Sequence, residues 1–205
     1  MSIALKTTRE TPFTAGDSLS ALHKFTVDEF HQMIDAGVFG KHDRVQLLEG
    51  RIVDKMTHNP RHDASVDLTQ SAIVPLLPSA WRVRCQCAIT TADSEPEPDI
   101  AVVLGPARRY SQRHPGPKDI GLIVEIADAT LRDDQTIQWR IYARSRIPVY
   151  WIVNLVDEKV EVYVKPKGGK KPRFEDRRDY SKDESVPLVL AGELLGTIAV
   201  SDLLP

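Results

Sequence analysis

The chain has 205 residues, 41% hydrophobic and 6% aromatic, with 27 Lys and Arg against 29 Asp and Glu and a formal net charge of −2. That balance excludes a protein that grips nucleic acid by bulk positive charge, though not one with a local basic patch. The scarcity of aromatics argues against a single-strand binder built on stacked rings. No apolar run approaches the ~20 residues a membrane helix needs, so no membrane partner is expected. Residues 1–22 read as a flexible polar lead-in without the apolar core of a signal peptide, and 23–205 as a single domain. The two cysteines, Cys85 and Cys87, have no second pair or neighbouring His cluster to complete a zinc site; they read as buried thiols of a cytoplasmic protein.

In chain order, Thr26 before VDEFHQMIDAG, with Glu29 three residues later and Gly37 as a stop, predicts a capped helix with Phe30, Met33 and Ile34 on its apolar stripe. RVQLLEGRIVDKM predicts two short strands about a Glu49-Gly50 turn. HDASVDLTQSAIVPLL suits a helix ended by Pro78. WRVRCQCAITT, IAVVL at 100–104 and GLIVEIA at 121–127 read as strands, the last two separated by the basic loop ARRYSQRHPGPK. IQWRIYARSRI reads as a helix with Ile137, Ile141 and Tyr142 inward. VYWIVNL and KVEVYVKP follow as a hairpin around Asp157-Glu158, then a basic loop PKGGKKPR and short strands with a helical turn. This order describes a mixed sheet flanked by helices, on the border of α/β and α+β.

The chemistry concentrates in SEPEPDIAVV and GLIVEIADATLRDD. Asp99 follows Pro98 at the mouth of one apolar strand, and Glu125 is embedded in another. A carboxylate in such a run is costly unless paired, protonated or bound to a cation. Two carboxylates converging from neighbouring strands make a hard oxygen site suited to Mg²⁺ or Mn²⁺. The plainer readings are a turn carboxylate for Asp99 and a buried ion-pair partner for Glu125.

These residues, with FTVDEFHQMIDAG, RVQLLEGRIVDKM, His62, Gln86, Asp134 and IYARSRIPVYWIVNL, resemble the PD-(D/E)XK nuclease superfamily and, more narrowly, its Uma-type endonuclease family. The resemblance implies an α/β fold with a restriction-endonuclease-like αβββαβ core, a mixed central sheet flanked by helices. It further implies DNA as partner, a homodimer, and a Mg²⁺ (or Mn²⁺) site built from Asp99, Glu125 and the carbonyl of Ile126. Gln46, Glu49, His62, Gln86 and Asp134 would be secondary site residues.

The chain departs from the family pattern where charge matters. Ala127 stands where the superfamily has Lys, and Gln138 stands where the family's helix supplies a migrated Lys. Gln46 replaces a Glu and Val149 another, while Glu49 stands where Asp is common. A neutral amide cannot stabilise developing phosphorane charge as an ammonium does, and losing one preorganised donor typically costs ~10²–10³ in rate. Arg140, two residues from Gln138, does not share its helix face. The expectation is a metal-dependent endonuclease weakened or inactive at Gln138; the alternative is a nuclease-fold binding or assembly module without catalysis. His62 is expected to cap or pack its helix rather than edge the site, Gln86 to be an outward strand polar as readily as a site residue, and Asp134 to serve as a helix N-cap or in its first turn, with a secondary site role as the other reading. The two basic loops read as solvated, with phosphate tracking as the other reading.

Overall fold

The computed structural model describes residues 22–205, so the expected lead-in lies, apart from Leu22, outside the described residues. Helix α1 (Val27–Asp35) opens with the expected capping box between Thr26 and Glu29. Strands β1 (Val45–Leu48) and β2 (Arg51–Asp54) form an antiparallel hairpin. Helix α2 (Pro60–Ile73) starts two residues before the expected His62, because Asn59 is its N-cap and Pro60 its first residue, and it ends before Pro75 rather than at Pro78.

The central sheet has the order β3–β4–β5–β6–β7–β8, from β3 (Trp81–Cys85), β4 (Ile100–Leu104), β5 (Ile120–Ala127), β6 (Val149–Asn154), β7 (Lys159–Lys167) and β8 (Arg173–Ser181). Only β5 and β6 pair in parallel; the other neighbours are antiparallel. A parallel pair needs a crossover. Here it consists of α3 (Leu131–Asp133), a π turn (Asp134–Gln138) and α4 (Trp139–Arg144). β9 (Ser185–Leu190) and β10 (Glu193–Ala199) make a separate hairpin. The mixed sheet and its flanking helices are the expected fold class.

Strand alternation divides the core. Leu122, Val124 and Ile126 of β5 face a cluster closed by α2 and the β9–β10 hairpin, whereas Ile123 and Ala127 face one closed by α4 and the β1–β2 hairpin. Glu125 lies between Val124 and Ile126, so the period of two sends it to the α4 side. β6 is buried along its whole length, which explains its continuous apolar run and places Tyr150 and Trp151 in the core.

Three expectations are corrected. The strand over WRVRCQCAITT stops at Cys85, because Gln86 takes a left-handed φ of 48° and breaks the ladder. The expected loop PKGGKKPR is shorter than expected, since β7 runs to Lys167 and the charged segment RFEDRRDYS is the edge strand β8, burying only Phe174 and Tyr180. Charges suit an edge that must resist further pairing. The cysteines are half-buried; the Cys85 thiol donates to Gln70 Oε1 at 3.0 Å, and burial pushes it up to about 11.

Candidate functional site

Asp99 is the residue before β4, and β4 runs antiparallel to β5 with Ile100 opposite Val124, so Asp99 arrives beside Glu125. Its backbone N–H donates to Glu125 Oε2 at 3.0 Å, and Asp99 Oδ2 accepts from the Ile126 N–H at 2.8 Å. Tyr142, carried inward by α4, donates its hydroxyl to Glu125 Oε1 at 2.6 Å. Both carboxylates are buried. Two oxygens that each accept a hydrogen bond favour the charged form of Glu125. Burial first, then Asp99 and Asp134, overrides them and holds it well above the usual carboxylate range.

Both carboxylates open on one cavity of about 270 Å³ at the meeting of β2, the start of α2, the ends of β4 and β5, and the π turn. Seven of its lining residues are acidic: Asp54, Glu97, Asp99, Glu125, Asp128, Asp133 and Asp134. Against them stand Lys55, ion-paired with Glu97, and the histidines His58 and His62. Among the described residues no Lys or Arg pairs with Asp99, Glu125 or Asp134. Burial pushes Asp134 up to about 7, with Asp99 and Asp133 adding to it and the 2.7 Å bond from the Thr130 hydroxyl opposing. Three buried carboxylates without a Lys or Arg partner, on hard oxygen donors, are a donor set that fits a divalent ion.

The other sequence-predicted residues divide. Gln46 lines the cavity and accepts from the Glu97 N–H at 3.3 Å. Gln138 also lines it, and its buried Oε1 has no hydrogen-bond partner. Asp134 stands in the first turn of the π segment and also lines the same cavity. His62 does not cap α2; Asn59 Oδ1 takes that role, accepting the His62 N–H at 2.9 Å. The His62 ring instead turns inward, with Nε2 3.0 Å from Asp99 Oδ2. Burial alone would hold His62 neutral, but the bound Asp99 carboxylate outweighs it and raises the ring's proton affinity. Ile126 contributes its N–H to Asp99, and its side chain packs on the opposite face of the sheet.

Besides Ile126, Glu49 and Gln86 are absent from the cavity wall. Glu49 is clamped by Arg140 at 2.8 and 2.6 Å and by Arg144 at 3.1 Å, which ties the β1–β2 turn to α4 and occupies both arginines of that helix. Gln86 is exposed; its backbone N–H donates to the Asp99 carbonyl at 3.0 Å, and its side-chain Nε2 lies 3.0 Å from His58 Nδ1. Of the basic loops, 108–114 is pinned by Arg109 and Arg113 on Asp119, each at 2.7 Å, and Lys165 and Lys167 pair with Asp176 and Glu175. Sequence reasoning missed Lys55, Glu97 and His58. Glu97 lies two residues before Asp99, and the triad Lys55, His58 and His62 sits within eight residues, a signal that only the hairpin's return beside segment 93–97 makes meaningful.

The family model described as "Putative restriction endonuclease", Uma2, matches residues 27–194. The chain belongs to this family. No curated protein matches it. Among solved structures, it is similar to one titled a putative nuclease belonging to DUF820 from Anabaena variabilis ATCC 29413. The TM-score is 0.63 at 19% identity, over 87% of this chain and 97% of that one. At that identity the likeness is one of fold.

Proposed function

We propose that the cavity is the centre of a metal-dependent endonuclease that hydrolyses DNA phosphodiester bonds, with Asp99, Glu125 and the Ile126 carbonyl holding Mg²⁺ or Mn²⁺. The observation that carries this reading is the pairing of Asp99 with Glu125 across β4 and β5 at the wall of an acidic cavity, in a chain of this family. A divalent ion bound there supplies Lewis-acid polarisation of the phosphodiester and a lowered pKa for an attacking water. The residues do the positioning. Tyr142 fixes the rotamer of Glu125, and His62 and the Ile126 N–H orient Asp99. Lys55 is the ammonium of the cavity, standing in for the lysine absent at 127 and 138, and Gln138 offers a neutral amide where charge develops.

A second reading, a binding or assembly module with the chemistry lost, is favoured by Gln138, which brings no charge and leaves its Oε1 unpartnered. Supercoiled plasmid in Mg²⁺ or Mn²⁺ separates the two. Cleavage by the wild type, lost in Asp99→Ala and reduced by about 10² or more in Lys55→Met, is expected of the nuclease. Gln138→Lys should raise the rate. An equal background from the wild type, Asp99→Ala and Gln138→Lys would leave the binding module.

A further inference from the structure

Two imidazoles stand in the cavity wall beside the carboxylate pair. His58 and His62 lie four residues apart across the start of α2, with ring centroids 4.1 Å apart and planes inclined by 26°. One donor atom from each, and one Asp99 oxygen, lie within 4.8 Å of one another. Adjacent donors around a tetrahedral ion with bonds near 2.0–2.1 Å sit about 3.3 Å apart. The separation of 3.0 Å between His62 Nε2 and Asp99 Oδ2 already has that scale.

Each ring also has an outer partner on its other nitrogen. His62 Nδ1 lies 3.4 Å from Asp63 Oδ1, and His58 Nδ1 lies 3.0 Å from the Gln86 side-chain amide. A ligating histidine donates its second N–H to such an oxygen, which fixes the tautomer that offers Nε2 to the ion. Asp63 serves His62 as it stands. The Gln86 amide serves His58 once its oxygen and nitrogen exchange places, a flip that leaves its shape unchanged. The left-handed turn at Gln86 that ends β3 is what positions this amide.

We propose that His58, His62 and Asp99 form a binding position for a borderline transition-metal ion of the Zn²⁺ class, beside the all-oxygen position that Mg²⁺ would take on Asp99 and Glu125. Imidazole nitrogens suit such ions, whereas Mg²⁺ keeps to oxygen. Three protein ligands leave a fourth position open to the cavity, as in sites that admit water or a phosphate oxygen. The inference shares Asp99 and His62 with the nuclease reading, and its test reads ion binding rather than cleavage.

Isothermal titration of the full chain with ZnCl2, and separately with MgCl2, decides it. Zn²⁺ should bind at one equivalent, with Gln86→Ala weakening it by roughly 10-fold and His58→Ala by about 10²-fold. Glu125→Ala should weaken Mg²⁺ and leave Zn²⁺ nearly unchanged. His58→Gln keeps a polar side chain of similar reach and should repeat the Zn²⁺ loss if the alanine variant proves unstable. Zn²⁺ affinity that is equal in the wild type and both His58 variants overturns the inference, even if the plasmid is cut in Mg²⁺. Zn²⁺ binding that depends on His58, in a protein that cuts no plasmid with any ion, sustains the inference and removes the nuclease reading.

Discussion

At the scale of single residues, Asp134 and Glu125 make the ion-free protein sensitive to pH. Asp134 titrates near 4 in an unfolded chain and at about 7 when folded. Between those values the folded protein keeps a proton that the unfolded chain has released, so this stabilisation is complete below about pH 4 and is lost as pH rises through 7. Stability should fall by up to about 1.4 kcal/mol per pH unit across that window. Urea midpoints measured from about pH 4 to 8 should show the slope, and Asp134→Asn should flatten it; parallel curves would remove Asp134 as its source. The burial and pairing of Asp99 and Glu125 were legible in sequence because a carboxylate after Pro98 and another inside an apolar strand have few inexpensive explanations. His62 was not legible in the same way. A histidine at a helix start commonly packs there, and only the cap taken by Asn59 leaves its ring free to turn toward Asp99.

At the scale of elements, close packing holds β5 against its neighbours at Gly121. A Cβ there would come within 2.7 Å of the Trp81 ring and 3.0 Å of the Leu190 methyl. Gly121→Ala should therefore cost about 1–3 kcal/mol, a melting temperature lower by several degrees, in a protein whose strands otherwise pair unchanged. A thermal scan reads the loss, and an unchanged midpoint would mean that β3 and the β9–β10 hairpin give way freely. The apolar strands β4, β5 and β6 could be read directly, since burial on both faces leaves uninterrupted hydrophobic runs. β8 was hidden because an edge strand may be charged almost throughout and still pair. The π turn left no periodicity to read either, being a single wide turn that brings Asp134 and Gln138 to the same cavity.

At the scale of the whole molecule, seven acidic side chains from β2, the segments around β4 and β5, and the crossover converge on one cavity. An ion that binds only the folded arrangement should stabilise it. At about 100 times its Kd, Mn²⁺ should add about 2.7 kcal/mol, or roughly 5–10 °C in a chain of this size. The shift should vanish in Asp99→Ala; one that persists there would place the ion elsewhere. A net charge of −2 hides this concentration, because the arginines and lysines that balance it lie elsewhere, several of them paired with Glu49, Asp119 and the β7–β8 ladder. By itself the sequence determined the class of fold and the carboxylate pair, since both follow from local pattern: strand periodicity and the cost of burying charge. It determined as well that positions 127 and 138 lack an ammonium. Only the tertiary structure decided which basic side chains line the cavity. Lys55 and His58 reach the cavity through long-range packing, when the β1–β2 hairpin docks on segment 93–97, and no spacing along the chain encodes that distance.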